Sequence, residues 1–281
     1  MKKTLVALSL AAMTLPALAQ DKKAPEPDYT ITGNVGITSD YRFRGISQSN
    51  LQPAVQAGLD FAHKSGVYLG NWNSSVSTWA APTGAGVEMD LYGGYKTELA
   101  GIGLDMGAIY YFYPGAKINN NDPDGPIAGD KNIFNTGELY VGVSYGPLSF
   151  KTSYTVTKQY FGLGKDLALE YGPIDGLSDT KDVKGTLYYD LGFAYEIAPK
   201  VTLKIHAGYL NLKNATNWKI KDYSLGLAYA LKDDVTLTLS GYKTSLGSNA
   251  KSSTWFETAS DESWNKKLYR NGAGISLTKT F

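Results

Sequence analysis

Apolar and polar residues alternate one for one along most of this chain, and that period of two leaves few folds open. In the last ten residues Ala273, Ile275, Leu277 and Phe281 alternate with Gly274, Ser276, Thr278 and Thr280. This is the period of a strand with one apolar face. The same pattern recurs at residues 29–38, 55–61, 87–96, 104–112, 138–145, 148–156, 186–195, 201–209, 223–229 and 235–240. A further segment, residues 67–75, follows a tight Lys64-Ser65-Gly66 turn, and its apolar face is ambiguous. The total is about twelve strands, each near the 9–11 residues that a tilted membrane strand needs. A terminal strand with an unpaired edge is a pairing liability that closure removes. The expectation is therefore an all-β protein, a single closed antiparallel transmembrane β-barrel.

The connections sharpen that expectation. Short ones fall at residues 64–66, 100–102, 146–147, 198–200 and 231–234, and long ones at 114–135, 158–184, 211–219 and 244–271. Short turns on one side and long loops on the other is the outer-membrane pattern, and an even strand count puts both termini on the short-turn, periplasmic side. Tracking strand direction then sorts the aromatics. Tyr29, Phe61, Tyr145, Phe150, Tyr195, Tyr229 and Phe281 fall at the periplasmic rim; Tyr110, Phe112, Tyr154, Tyr189, Tyr209 and Tyr223 fall at the outer rim. These are two girdles at headgroup level. A soluble sandwich would put the apolar face inside and would not sort its aromatics to strand ends.

The N-terminus reads as an address. Lys2 and Lys3 precede an apolar stretch at residues 4–16 and an Ala17-Leu18-Ala19 cut pattern, so residues 1–19 read as a secretory signal peptide. Residues 20–28, with Pro25 and Pro27, read as a periplasmic leader, and residues 29–281 as the barrel. The apolar stretch is too short to span a membrane as a helix. An exported chain with no cysteine and only 19% charged residues fits a Gram-negative envelope, here the bacterial outer membrane. A net charge of +1 argues against nucleic acid as a partner.

Catalytic chemistry is scarce. Of the two histidines, His63 sits beside a short turn and His206 is mid-strand on the polar face, with no ligand-spaced partner in its local sequence. No metal, cofactor or catalytic residue is expected. Ser240 and Lys243 match a Ser-x-x-Lys spacing, but residues three apart on a strand point to opposite faces. The Asn120–Gly125 run begins like a calcium loop but carries Lys131 where a bidentate glutamate belongs.

The polar face says more. By alternation Asp60, Glu88, Asp90, Lys96, Glu98, Asp105, Glu138, Lys151, Asp190, Lys204 and His206 point into the lumen. Charges of both signs either line a wet conduit or pair into a plug. Twelve strands lie between the eight that side chains just fill and the 16–18 of open porins. Residues 39–49, Ser-Asp-Tyr-Arg-Phe-Arg-Gly-Ile-Ser-Gln-Ser, continue the first strand with Tyr41 and Phe43 outward and Asp40, Arg42 and Arg44 inward, Gly45 standing near the hairpin tip. Arg42 and Arg44 then form a basic lip for anions, or pair with Asp40 and nearby carboxylates to hold the hairpin. Trp79, Trp255, Phe256 and Trp264 lie in loops where they either bind a sugar-like ligand or pack over the mouth.

The Gly-x-x-Ser-Asp-Tyr-x-Phe-Arg-Gly-x-Ser run at residues 36–47 resembles the TorF-type porin family of Gram-negative bacteria, described also as conserved proteins of unknown function. The resemblance extends more loosely over the rest of the barrel to Phe281. It implies an outer-membrane barrel and supplies no catalytic residues. The expected function is passive or weakly selective diffusion of small hydrophilic solutes through a narrow lumen, the constriction set by lumen charges and, if it folds inward, by the 158–184 loop. The alternatives are a barrel enzyme of lipase or protease type and a non-conducting barrel with a structural or adhesive role. Expected partners are outer-membrane lipid, small solutes and the barrel-assembly machinery, engaged through the strand ending in Phe281; the protein is expected to be a monomer.

Overall fold

The computed structural model describes residues 27–77, 85–116, 134–166, 174, 176–252 and 267–281. The signal peptide, most of the leader, the Asn120–Gly125 run, Trp79, Trp255, Phe256 and Trp264 lie outside the described residues. In chain order the strands are β1 (Tyr29–Thr38), β2 (Arg42–Phe43), β3 (Ile46–Ser47), β4 (Ala54–His63), β5 (Val67–Ser75), β6 (Val87–Leu99) and β7 (Ile102–Phe112). They continue with β8 (Thr136–Tyr145), β9 (Leu148–Thr155), β10 (Leu187–Ala198), β11 (Val201–Asn211), β12 (Lys219–Lys232), β13 (Val235–Leu246) and β14 (Gly272–Thr280). One short helix, α1 (Ser248–Ser252), follows β13. No helix among the described residues is long and apolar enough to cross a membrane.

β1 and β4–β14 form one closed antiparallel barrel of twelve strands, each paired with its neighbours in sequence and β14 with β1. Closure satisfies the backbone polar groups within the wall, which a hydrocarbon surrounding demands. The apolar row of each strand faces out. Ile31, Val35, Ile37, Val55, Leu59, Leu91, Met106, Leu139, Leu225 and Ile275 all stand exposed. An apolar surface that encircles a protein has no stable place in water and a natural one in lipid. Exposed Tyr29, Tyr145, Tyr195 and Tyr229 ring the short-turn end, and Tyr110, Tyr154 and Tyr223 the loop end. Both ends of the barrel chain, Tyr29 and Phe281, lie at the short-turn end.

Three details differ from the sequence reading or complete it. First, β5 resolves its own ambiguity: Val67 and Leu69 face out while Tyr68 and Ser74 are buried inside. Its outward row continues as Asn71 and Asn73, which masked the period. Asn73 Nδ2 donates to Asn71 Oδ1 at 2.5 Å, and Asn71 Nδ2 donates to the Asp90 carbonyl at 3.1 Å. The polar pair on the apolar face is thus internally satisfied. Second, within the rim at the short-turn end Phe281 packs on Gly33 and not against Tyr29. Its backbone exchanges both hydrogen bonds with Gly33, at 2.7 and 2.9 Å, and its ring lies over the Gly33 Cα, a space that any Cβ would take. Tyr29 instead stacks on Phe61 with ring centroids 5.7 Å apart.

Third, β1 stops at Thr38 and does not run through residues 39–43. Ser39 makes the last ladder contacts, its N–H to the Ile275 carbonyl and its Oγ to the Ile275 N–H. The chain then turns into the barrel, and Tyr41 is buried inside rather than outward. β2 and β3 are joined by the two residues Arg44 and Gly45, both with positive φ (47° and 81°). That is the backbone of a type I′ hairpin turn, which favours glycine at its second position. Gly45 also packs so close to Asp222 and Thr244 on the wall that a Cβ would meet their side chains at 2.6 Å.

An apolar core consequently sits inside the barrel, at the loop end. Ile46 of the hairpin joins Tyr111, Tyr113, Phe134, Tyr160, Leu163, Leu177, Val183, Leu210, Trp218 and Leu268 there. The described parts of the 158–184 loop therefore fold inward over the mouth.

Candidate functional site

The inserted hairpin reaches across the lumen. Tyr41 donates its hydroxyl to Glu88 of β6 at 2.6 Å and packs edge-on against Trp72 of β5. Tyr113 donates to the other Glu88 oxygen at 2.6 Å. Phe43 packs against Tyr111 and Phe161. Arg44 donates from its two Nη atoms to the two oxygens of Glu138 on β8, both at 2.7 Å, and from Nη1 to the Tyr160 hydroxyl. Its guanidinium lies 4.1 Å from the Tyr188 ring centroid on β10. On the far side the Gly45 carbonyl accepts from Thr244 of β13 at 2.9 Å.

Arg42 and Arg44 are therefore no basic lip. Arg42 Nε donates to Asp40 at 2.7 Å, its Nη1 donates to the Arg270 carbonyl at 2.9 Å, and Ser47 donates to the other Asp40 oxygen. Within the hairpin the paired-carboxylate alternative describes both arginines. The lip failed because residues 39–49 leave the sheet, and alternation assigns faces only while a strand is paired.

Beneath the hairpin lies a polar cavity of about 730 Å³, running from Arg42, Arg44 and Gly45 down to Lys96, Thr236 and Thr280 near the short turns. Its walls differ. The β4–β9 side carries charge and tyrosine: Tyr92 donates to Asp60 at 2.5 Å, Tyr68 donates to Asp105 at 2.6 Å, and Tyr68 also meets Tyr140. Lys96 stands 3.8 Å from Asp105 and 4.6 Å from the Tyr68 ring centroid, and Lys151 lies over the Tyr140 ring. The β13–β14–β1 side is uncharged and hydroxyl-rich, with Thr236, Thr238, Thr278, Thr280, Thr32 and Asn34.

Of the fourteen residues expected to face inward, Glu98 stands exposed at the short-turn end of β6 and outside the cavity lining, and the other thirteen stand inside the barrel wall or on the hairpin within it, in separate environments. Asp40, Arg44, Glu88, Asp90 and Glu138 are buried in or under the plug. Asp90 Oδ1 is buried without a hydrogen-bond partner. Lys96, Asp105, Lys151, Asp190, Lys204 and His206 face the cavity, as do Asp60 and Arg42. Asp190 and Asp222, both in register with Gly208, lean toward His206. His206 Nε2 lies 2.7 Å from Asp222 and Nδ1 lies 3.3 Å from Asp190. Tyr188 completes the cluster, with its hydroxyl 3.2 Å from both His206 Nε2 and Asp222.

Asp222 was missed because the sequence pattern was read only from Tyr223 onward. Carried upstream over β12, the same alternation places it inward. Of the lumen tyrosines, Tyr92, Tyr140 and Tyr188 lie on the polar rows of their strands, whereas Tyr68 belongs to the segment whose faces the sequence leaves ambiguous.

An apolar exterior and a polar cavity beneath a hairpin of its own chain define a membrane-type β-barrel whose lumen that hairpin crosses. The chain belongs to the family described as bacterial protein of unknown function (Gcw_chp), which matches residues 22–281. No curated protein matches it in sequence. Among solved structures it is similar to the KdgM porin (8% identity, 89% of this chain and 98% of the other, TM-score 0.46) and the NanC porin (11%, 89% and 98%, 0.48). It is similar also to the outer membrane phospholipase A from Escherichia coli (13%, 89% and 91%, 0.38). At these scores the likeness says nothing of what this barrel does.

Proposed function

We propose that this protein is a porin-like channel of the bacterial outer membrane, passing small hydrophilic solutes, with both termini periplasmic. The observation that carries the reading is the polar cavity reaching toward the short-turn end inside a barrel whose outside is apolar. The hairpin at residues 39–49 stands across the path from that cavity to the loop end, so passage requires it to move. Lumen selectivity is assigned to Asp60, Lys96, Asp105, Lys151, Asp190, Lys204 and His206, which face the cavity. The TorF-type assignment belongs with this reading and rests on the residue 36–47 motif. So do export by residues 1–19, folding assisted by the barrel-assembly machinery through β14 and Phe281, and a monomeric state.

The inserted hairpin also favours the second reading, a barrel that does not conduct. Planar-bilayer recording separates the two. A channel shows rare or small steps in the native protein and larger, frequent steps when residues 40–48 are replaced by a short glycine-serine turn. No steps from either folded protein would sink the channel reading. Hydrolytic chemistry gains no support from His206, because both of its ring nitrogens face carboxylates and neither is left to take a proton from a serine.

A further inference from the structure

The outward row of the barrel carries one group of charges that nothing among the described residues balances. On β12, Lys219 and Lys221 face out above Tyr223, and on β13 Lys243 faces out beside it. The registers Lys221↔Ser245 and Tyr223↔Lys243 make Lys221 and Lys243 diagonal neighbours, roughly 7–8 Å apart at Cα. Lys219 lies one same-face step, roughly 7 Å, beyond Lys221. All three are exposed, and none has an ionic or hydrogen-bond partner among the described residues.

Two contrasts give the cluster meaning. In the loop-end half of the described strands, the outward row holds these three lysines and no carboxylate. At the short-turn end two lysines have carboxylate partners: Lys64 lies 2.6 Å from Asp28, and Lys279 pairs with Asp234. Like charges gathered without counter-charge are tolerated where the surroundings supply it. Tyr209, in register with Lys221, and Tyr223, in register with Lys243, mark the headgroup level just below. Leu225 and Leu227 continue the apolar belt beneath them. A second copy of this face would bring more lysine and no carboxylate, so self-association does not balance the charge.

We propose that Lys219, Lys221 and Lys243 form a docking site for a phosphate-bearing lipid in the loop-end leaflet, with the acyl chains lying on the belt below. Ammonium groups on flexible stems suit a phosphate as point charges, and basic clusters at a membrane surface recruit anionic headgroups. The proposal rests on the membrane-embedded reading given above but not on conductance.

The test is native mass spectrometry of the full barrel in neutral detergent, titrated with bisphosphorylated lipid A, with the same lipid freed of phosphate, and with inorganic phosphate. The native protein is expected to retain the bisphosphorylated lipid and to bind the dephosphorylated form at least about tenfold more weakly. Lys219→Gln/Lys221→Gln/Lys243→Gln is expected to lose that preference while keeping the heat-modifiable gel mobility of a folded barrel. Lys200→Gln/Lys232→Gln, the same kind of change at the other end, is expected to keep it. Equal binding of both lipids to the native protein, or an unchanged preference in the triple variant, overturns the site. Full displacement by inorganic phosphate overturns the lipid as its ligand, leaving a plain anion site. Failure of the folded native protein to bind either lipid likewise overturns the site, whereas loss of the heat-modifiable fold in detergent counts against the membrane-embedded reading.

Discussion

Arg44 and Glu138 are 94 residues apart in sequence and meet inside the barrel in a two-pronged ion pair, each Nη 2.7 Å from its own carboxylate oxygen. The pair ties the tip of the inserted hairpin to the wall. Removing one member of a buried pair leaves the other charge unpaired in a poor solvent and costs about 3–5 kcal/mol, whereas replacing both by apolar groups is often near neutral. Glu138→Gln is thus expected to unseat the hairpin, seen as faster hydrogen exchange at residues 40–48 and more frequent conductance steps. Arg44→Met/Glu138→Leu is expected to keep the hairpin seated. If the double variant loosens it as much as the single one, the pair does more than fill a site.

Asp90 gives the opposite case. Its Oδ1 is buried with no partner, and an unpaired buried polar atom costs on the order of 1–3 kcal/mol. Asp90→Asn keeps the volume nearly constant and replaces the carboxyl by an amide that cannot ionise, and it is expected to raise the thermal midpoint of unfolding. A drop of several degrees by differential scanning calorimetry would show that the carboxylate has a favourable role.

Gly45 is held by two constraints, positive φ and the nearness of Asp222 and Thr244. Gly45→Ala is expected to displace the hairpin tip without opening the barrel, because the strand ladders do not involve it. Circular dichroism should stay β-rich while exchange at residues 41–47 accelerates; unchanged exchange would contradict the packing.

Closure can be tested at Gly33. A valine there takes the space of the Phe281 ring, and such overpacking costs about 1–3 kcal/mol where it cannot relax. Gly33→Val is expected to lower the urea midpoint of refolding into detergent. Phe281→Ala in the same background is expected to recover part of the loss, since the clash goes with the ring.

The turn between β12 and β13 carries a pH-dependent clasp. Lys279 donates to Asp234 and holds that carboxyl below its ordinary value near 3.8. A depressed carboxyl contributes stability that is present above the unfolded value and is lost as pH falls through the folded one. The difference in stability between native protein and Asp234→Asn should accordingly shrink as pH falls below about 4. The clasp is solvent-exposed, so the effect is small; a difference that persists undiminished at pH 2 would refute the ionic account.

Much of the barrel was legible before any coordinates. Val201 to Tyr209 and Leu148 to Tyr154 alternate because strand side chains point to opposite sides whatever lies there, so faces, strand number, girdles and the inward charges all follow from counting. β5 was obscure because Asn71 and Asn73 place polar side chains on the apolar row. The site was legible only as a list: Glu88, Glu138 and Asp190 were known to point inward, with nothing to say whom they meet.

The sequence by itself determined a closed sheet with an apolar outside, since a period of two carries the face of every paired residue. Only the tertiary structure decided that the lumen is crossed by the chain's own hairpin. Once residues 39–49 leave the ladder they have no pleat to sort them, and their positions depend on partners far away in sequence, Glu88, Glu138 and Thr244. It likewise decided that His206 sits between Asp190 and Asp222, because neighbouring strands bring together residues that no local spacing relates.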